Sequence, residues 1–249
     1  AISSFSPYKS AGPDGIIPIM LRSTKDIITP ILAKIYKTCL QYNFVPVAWR
    51  SVNVIFIPKV GRTCHASAKD FRPITLSSFL LKVLERFIDA FIRGKLEQTN
   101  SIFPNQHAYI KGRSTETALH VVVQEIERSL HFKQFTLASF LDIEGAFNNV
   151  HTEAINRTLI DLKVDDYIIQ WIVRMLNSRT ITAELGNSRI SKRVWRGTPQ
   201  GGVLSPLLWL IVINDILLSL EEKGVKTVAY AEDEVIMVSG RFLDIMSDI

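Results

Sequence analysis

Three acids stand where chemistry is possible. Asp142 closes an apolar run, Thr136 to Leu141, and precedes a turn-like stretch, Ile143-Glu144-Gly145-Ala146. About ninety residues on, Glu232 and Asp233 lie between two more apolar runs, Val225 to Tyr230 and Val235 to Val238, as in a hairpin whose tip, residues 231–234, carries the carboxylates. A carboxylate at the end of a buried strand is costly unless it is solvated, paired or bound to a cation. If these strands are neighbours in one sheet, the three acids meet at its edge, and divalent cations relieve their repulsion. Oxygen-only ligands suit Mg²⁺ or Mn²⁺ rather than Zn²⁺. Two such ions could activate a hydroxyl nucleophile and stabilise a leaving pyrophosphate. The plain alternative is that each acid merely ends a strand at the surface.

Between the acids lies Arg196-Gly197-Thr198-Pro199-Gln200-Gly201-Gly202-Val203-Leu204-Ser205-Pro206. Its glycines permit close backbone approach to a ligand, and the apolar stretch after it would anchor the loop. It is not a Walker loop, because no Gly-Lys-Ser/Thr follows. Upstream, Pro58-Lys59 follows a β-rich run and Phe71-Arg72-Pro73 precedes a helical one. A surface Lys or Arg by itself needs no role beyond solubility.

The elements that must hold these residues are legible as periodicities. Ile27, Ile28, Ile31, Leu32, Ile35, Cys39 and Leu40 recur at helical spacing, as do Leu80, Leu81, Leu84, Phe87, Ile88, Phe91 and Ile92. A third helix should start near Ser114 as its cap and carry Leu119, Val122, Val123, Ile126 and Leu130 inward. Further helices are expected near 152–162 and 166–177, and Val203 to Leu220 reads as a core helix. That last stretch holds Ser205, Pro206, Asn214 and Asp215 and is too polar to span a bilayer. Strand signals are shorter. Val52 to Ile57 is a run stopped by Pro58, and Thr180 to Leu185 and Ile190 to Trp195 flank the turn-forming Gly186 and Asn187. Strands and helices mix without strict alternation, which predicts an α+β fold.

The 249 residues, 47% hydrophobic and 21% charged, support a packed core and argue against disorder. Cys39 and Cys64 match no metal spacing, so free thiols in an intracellular protein are expected. No signal peptide opens the sequence. The net charge of +5 hides an asymmetry: residues 1–114 hold 16 Lys/Arg and 6 Asp/Glu, while residues 115–249 hold 13 and 18. A basic half attracts phosphates and an acidic half attracts cations.

Seven segments in order carry a resemblance: 12–15 (GPDG), 57–59 (IPK), 71–78 (FRPITLSS), 105–119 (NQHAYIKGRSTETAL), 140–150 (FLDIEGAFNNV), 196–206 (RGTPQGGVLSP) and 230–233 (YAED). Their order and spacing are similar to those of the reverse transcriptases of non-LTR (LINE-type, jockey-like) retrotransposons, over nearly the whole chain. The resemblance implies a right-hand polymerase fold with fingers and palm, residues 1–114 mostly fingers and 115–249 mostly palm, the thumb missing from a sequence that ends at Ile249. It implies an RNA-directed DNA polymerase working by two-metal nucleotidyl transfer, with two Mg²⁺ (Mn²⁺ possible), an RNA template, a DNA primer and dNTPs as partners, and no membrane. Neither oligomeric state nor a choice between nucleus and cytoplasmic ribonucleoprotein follows.

Residue by residue, Asp142 resembles the first metal-binding aspartate, with backbone at Ile143 and Glu144 lining the metal and triphosphate site. Phe147 matches the bulky residue that lies under the sugar and rejects a 2′-hydroxyl by a clash; without the motif it would read as core. Gln200 and Gly201 match the loop holding the templating pair, and Lys59 and Arg72 the residues gripping the triphosphate. Tyr230, Ala231, Glu232 and Asp233 occupy the family's Tyr-Ala-Asp-Asp turn. The chain departs from that pattern at Glu232, where the family has its second principal metal-binding aspartate. Asn148 replaces another frequent aspartate, and Glu234 puts an acid where an apolar strand residue is usual. These departures keep open an alternative, a catalytically impaired, truncated copy retaining only the fold or nucleic-acid binding. An intron maturase or a viral RNA polymerase is a third reading. Phe147 speaks against the RNA polymerase, because a small polar residue there would admit ribose.

Overall fold

The computed structural model describes residues 1–61, 64–186 and 188–242. The chain folds into two compact units, each assembled from separate stretches: Ala1–Gln98 with Phe147–Ser205, and Thr99–Ala146 with the segment from Pro206 on.

The first unit is built on a sheet of order β2-β1-β4-β5. Its strands are β1 (Ser51–Pro58), β2 (Phe71–Leu76), β4 (Arg179–Leu185) and β5 (Ser188–Val194). β1 runs antiparallel to β2 and parallel to β4, and β4 and β5 form a hairpin. Val52 and Val54 are buried, whereas Ile55 to Pro58 are exposed, so the β1–β2 hairpin leaves the core towards its tip. Helices α1 (Pro18–Ser23), α2 (Lys25–Gln41), α3 (Val47–Arg50), α4 (Phe79–Thr99), α7 (Thr152–Asp161) and α8 (Asp166–Asn177) supply the core. α8 packs against α7 and α2, and Ile155, Leu159, Trp171, Ile172 and Leu176 are wholly enclosed. The Trp171 indole N–H donates to the carbonyl of Phe44 at 3.2 Å, and the Tyr36 hydroxyl to that of Leu80 at 2.8 Å. These bonds satisfy the polar ends of side chains buried mainly for their apolar bulk.

The second unit holds a sheet of order β3-β7-β6, made of β3 (Phe135–Asp142), β6 (Lys226–Tyr230) and β7 (Asp233–Gly240). α5 (Thr115–His131) lies on one face, with Ala118 and Val122 against Val228 and Met237. Its start is fixed by a reciprocal capping box between Ser114 and Thr117, the arrangement that satisfies two free N–H groups at a helix N-terminus. α9 (Ser205–Glu222) carries a continuous apolar surface on which Leu207, Leu208, Leu210, Ile213 and Leu217 are fully enclosed. α6 (Ala146–Asn149) is a single turn.

Several expectations are corrected. In α5 only the strip through Ala118, Val122 and Ser129 is buried, while Leu119, Val123 and Leu130 are exposed. The helix touches the sheet along a line narrower than its apolar arc. β3 is an edge strand exposed along most of its length, not a buried one, so Asp142 is solvated rather than entombed. The stretch 71–76, read only as a lead-in to a helix, is a strand. Pro73 is tolerated there because β2 is an edge, where a missing N–H faces away from the ladder. The hairpin tip is two residues, Ala231 and Glu232; Asp233 and Glu234 already belong to β7. Gly186 has a positive φ of 57°, as a hairpin turn requires, and Asn187 lies outside the described residues.

Candidate active site

In the second unit, strand register does the assembling. Asp142 is directly opposite Asp233, and Asp233 is opposite Tyr230 across the hairpin. Side chains opposite one another in an antiparallel pair share a face, with Cβ atoms about 5 Å apart. Both aspartates are exposed, and Glu232 is partly buried. The Ile143 N–H donates to the carbonyl of Glu232 at 3.0 Å, which continues the β3–β7 ladder past Asp142 into the turn. The Ile143 carbonyl accepts from the Ala146 N–H at 3.3 Å.

The turn is held in an uncommon conformation. Ala231 has φ of 59°, a region where a side chain crowds its own backbone. Its carbonyl accepts a 2.8 Å bond from the buried indole N–H of Trp209 on α9. The Tyr109 hydroxyl lies near Glu232 and Tyr230; burial first, and then those two neighbours, raise its pKa. Glu234 pairs with Leu141 and Ala229, on the face opposite Asp233. It is 5% exposed, its Oε1 has no partner among the described residues, and burial raises the pKa of its carboxyl. A cavity of about 380 Å³ adjoins the aspartates, lined by Leu119, Phe140, Asp142, Tyr230, Asp233 and Val235 among others.

The donors are all oxygen, which suits a hard divalent cation in kind. Two carboxylates face each other across the ladder. Among the described residues, however, no three His, Cys, Asp or Glu side chains come together closely enough to hold an ion. Glu232 is next to the pair in sequence but does not complete a three-carboxylate group.

In the first unit, the Gly-rich loop is pinned along its length. Gly197 N–H donates to the Val150 carbonyl at 2.8 Å and Thr198 N–H to the Phe147 carbonyl at 2.6 Å. A Cβ on Gly197 would sit 2.4 Å from the Asn148 carbonyl oxygen, so only glycine fits. The Gln200 carbonyl accepts from the Thr75 N–H at 2.7 Å, on the outer edge of β2 and three residues from Arg72. The Gln200 Oε1 is buried and has no partner among the described residues. Arg72, exposed, is opposite Ile57, and the Lys59 N–H donates to the Asp70 carbonyl at 2.8 Å. Both cations thus stand at one end of the β1–β2 hairpin. Phe147 is half-buried.

Sequence reasoning missed Trp209, Tyr109, Glu85 and Arg179. Trp209 hides in an apolar run, and the sequence says nothing of which turn its N–H reaches. The GRSTETA segment has a structural duty as well. Arg113 donates to the carbonyls of Pro104 and Gln106, Ser114 caps α5, and Thr117 bonds His107 Nδ1 at 2.8 Å.

Residues 57–242 match the model of the reverse transcriptase (RNA-dependent DNA polymerase) family, and the chain belongs to that family. Among curated proteins it is 29% identical over 230 residues to a Pol polyprotein from the type-1 retrotransposable element R1 of Bradysia coprophila, covering 92% of this chain and 22% of that protein. It is 26% identical over 240 residues to the RNA-directed DNA polymerase of the mobile element jockey from Drosophila melanogaster, covering 94% and 26%. The chain therefore spans about a quarter of these relatives. Telomerase from Candida tropicalis, in its apo form, superposes with a TM-score of 0.55 at 12% identity, over 88% of this chain and 50% of that one. Telomerase from Candida albicans, solved with a fragment of telomeric RNA, gives 0.56 at 12%, over 86% and 42%. The fold is that of the right-hand polymerases. No described helix is long and apolar enough to cross a membrane.

Proposed function

We propose that the chain is the nucleotide-adding part of a retrotransposon RNA-directed DNA polymerase, extending a DNA primer on an RNA template with dNTPs. The observation that carries this is the register placing Asp142 opposite Asp233, one residue from the Glu232 turn. Residues 1–114 would act mostly as fingers and the remainder mostly as palm, in an intracellular setting.

In this reading Asp142 and Asp233 would hold two divalent ions, Mg²⁺ by preference and Mn²⁺ as a substitute, with the Ile143 carbonyl beside them and Glu232 joining only on a shift of its turn. When bound, such ions make a 3′-hydroxyl more acidic and neutralise charge on a leaving pyrophosphate. Lys59 and Arg72 grip the triphosphate as point charge and fork. Phe147 fills the space a 2′-hydroxyl would need, and Gln200 and Gly201 support the templating pair. The primer 3′-oxygen attacks the α-phosphorus in line and the bond to pyrophosphate breaks. The protein's work is positioning and charge stabilisation.

Primer extension on an RNA template tests the reading. dNTP incorporation that needs Mg²⁺ or Mn²⁺, vanishes in Asp142→Asn and accepts rNTPs in Phe147→Ala supports it; preference of the parent for rNTPs would overturn it. A second reading, a catalytically impaired copy that retains nucleic-acid binding, is favoured by Glu232 and by the absence, among the described residues, of a three-carboxylate group. It predicts an inactive parent that still retains RNA.

A further inference from the structure

The loop from Arg196 to Val203 is held at both ends by buried charges that the proposed chemistry does not use. Glu85 on α4 is 1% exposed, and its Oε2 accepts the Val203 N–H at 2.8 Å, just ahead of α9. Val203 lies two residues before α9, so this bond fixes the far end of the loop. Arg179, at the start of β4, is also buried. Its Nε donates to the Leu176 carbonyl at 2.9 Å, and its Nη2 donates to the carbonyls of Arg196, at 3.2 Å, and Gly197. One guanidinium therefore ties the end of α8 to the first two residues of the loop.

The two groups also sense each other. Burial raises the Glu85 pKa, and Val203 N–H, Lys82, Arg179 and Arg86 act to lower it. Burial pushes the Arg179 pKa down to about 10, with Glu85 opposing. The guanidinium stays charged at neutral pH. Isolated buried charges of this kind are expensive, and they persist where they are matched and hydrogen-bonded. Between the two anchor points lie Gln200, whose carbonyl is fixed by Thr75 and whose Oε1 has no partner among the described residues, and Gly201, whose added Cβ would stand 3.0 Å from the Thr75 carbonyl.

We infer that Glu85 and Arg179 are positioning residues that clamp the two ends of the 196–203 loop and so set how tightly Gln200 and Gly201 hold the incoming nucleotide. The inference rests on the polymerase reading for its consequence, but the clamp itself is independent of it. Glu85→Leu removes the acceptor and leaves the part-buried Val203 N–H without its bond. Glu85→Gln keeps an acceptor of the same shape. Arg179→Lys keeps the charge but loses the fork that reaches several carbonyls.

The test measures dNTP KM and kcat by primer extension and amide exchange residue by residue. In Glu85→Leu the KM should rise about tenfold with kcat within about threefold, and Val203 exchange should accelerate about tenfold or more while β3–β7 amides keep parental rates. Glu85→Gln should restore most of both. Arg179→Lys should also raise KM, and it decides the matter if Glu85→Leu does not fold. An unchanged KM in a folded variant, or faster exchange spread evenly through the chain, would overturn the proposal. If the parent incorporates no nucleotide, the polymerase reading falls on its own. Parental Val203 exchange in Glu85→Leu would then overturn the clamp, and faster exchange confined to the loop would sustain it.

Discussion

In the proposed site Glu232 stands where the resemblance implies an aspartate; it keeps the charge but carries its carboxylate one methylene further from the backbone. The backbone here is not free to compensate. The Glu232 carbonyl takes the Ile143 N–H, Ala231 is held at φ of 59°, and its carbonyl is bonded to Trp209. Catalytic groups need placement within about 0.5 Å, and a displacement near 1 Å costs on the order of 10²-fold. Glu232→Asp should therefore raise incorporation by about 10- to 10²-fold, with Asp142→Asn as the inactive reference. Equal or lower incorporation would mean that the longer side chain is already accommodated and that the departure from the family pattern is harmless. Glu234 sits in the neighbouring register position yet belongs to the other face, so period-two alternation, not nearness in sequence, decides which acid can join Asp142. The sequence exposes the acids but not their faces until the turn length is known. A four-residue tip would have put Asp233 outside the ladder.

At the scale of elements, the Gly-rich loop is a matter of close approach more than of flexibility. Gly197→Ala would set a Cβ 2.4 Å from the Asn148 carbonyl oxygen at φ of 73°, whereas Gly224→Ala, at φ of 79°, meets nothing within 4 Å among the described residues. The second substitution should cost about 1 kcal/mol, the price of a left-handed alanine. The first should cost that plus a backbone clash, about 3 kcal/mol or more. Chemical denaturation of both variants checks the difference, and equal losses would show that segment 147–150 yields freely. Helix spans were legible because α2, α4 and α5 carry apolar residues at helical spacing, α9 is a long apolar run and α5 has a Ser114 cap. Their buried faces were less so. Leu119 and Leu130 fit the α5 period as well as Val122 does, yet they are 60% and 67% exposed. Periodicity gives an arc, and only tertiary contact chooses the line within it. β2 was illegible because Pro73 reads as a breaker, and only the edge position permits it. The loop then docks on that same edge at Thr75.

For the molecule as a whole, the order of seven motifs carried the family, since each alone is a common turn or strand end. The charge asymmetry carries a separate consequence. Residues 1–114 have a net charge of +10, and Lys59 and Arg72 stand at one end of an exposed hairpin. A polymerase that tracks an RNA strand must neutralise phosphates, and each contact releases counterions. The logarithm of affinity then falls with the logarithm of salt concentration, with a slope of about −0.7 per phosphate on a single strand. If about five cations contact RNA, affinity should drop about 10²-fold between 50 and 200 mM salt. Lys59→Ala with Arg72→Ala should lower the magnitude of that slope by about 1.4, while an exposed cation of the second unit, Arg128→Ala, should leave it nearly unchanged. Filter binding across a salt series measures all three. A flat parental profile would remove the basic half as an RNA track. Equal slopes for the parent and the double variant would instead shift the phosphate contacts away from the hairpin and onto other cations of the first 114 residues.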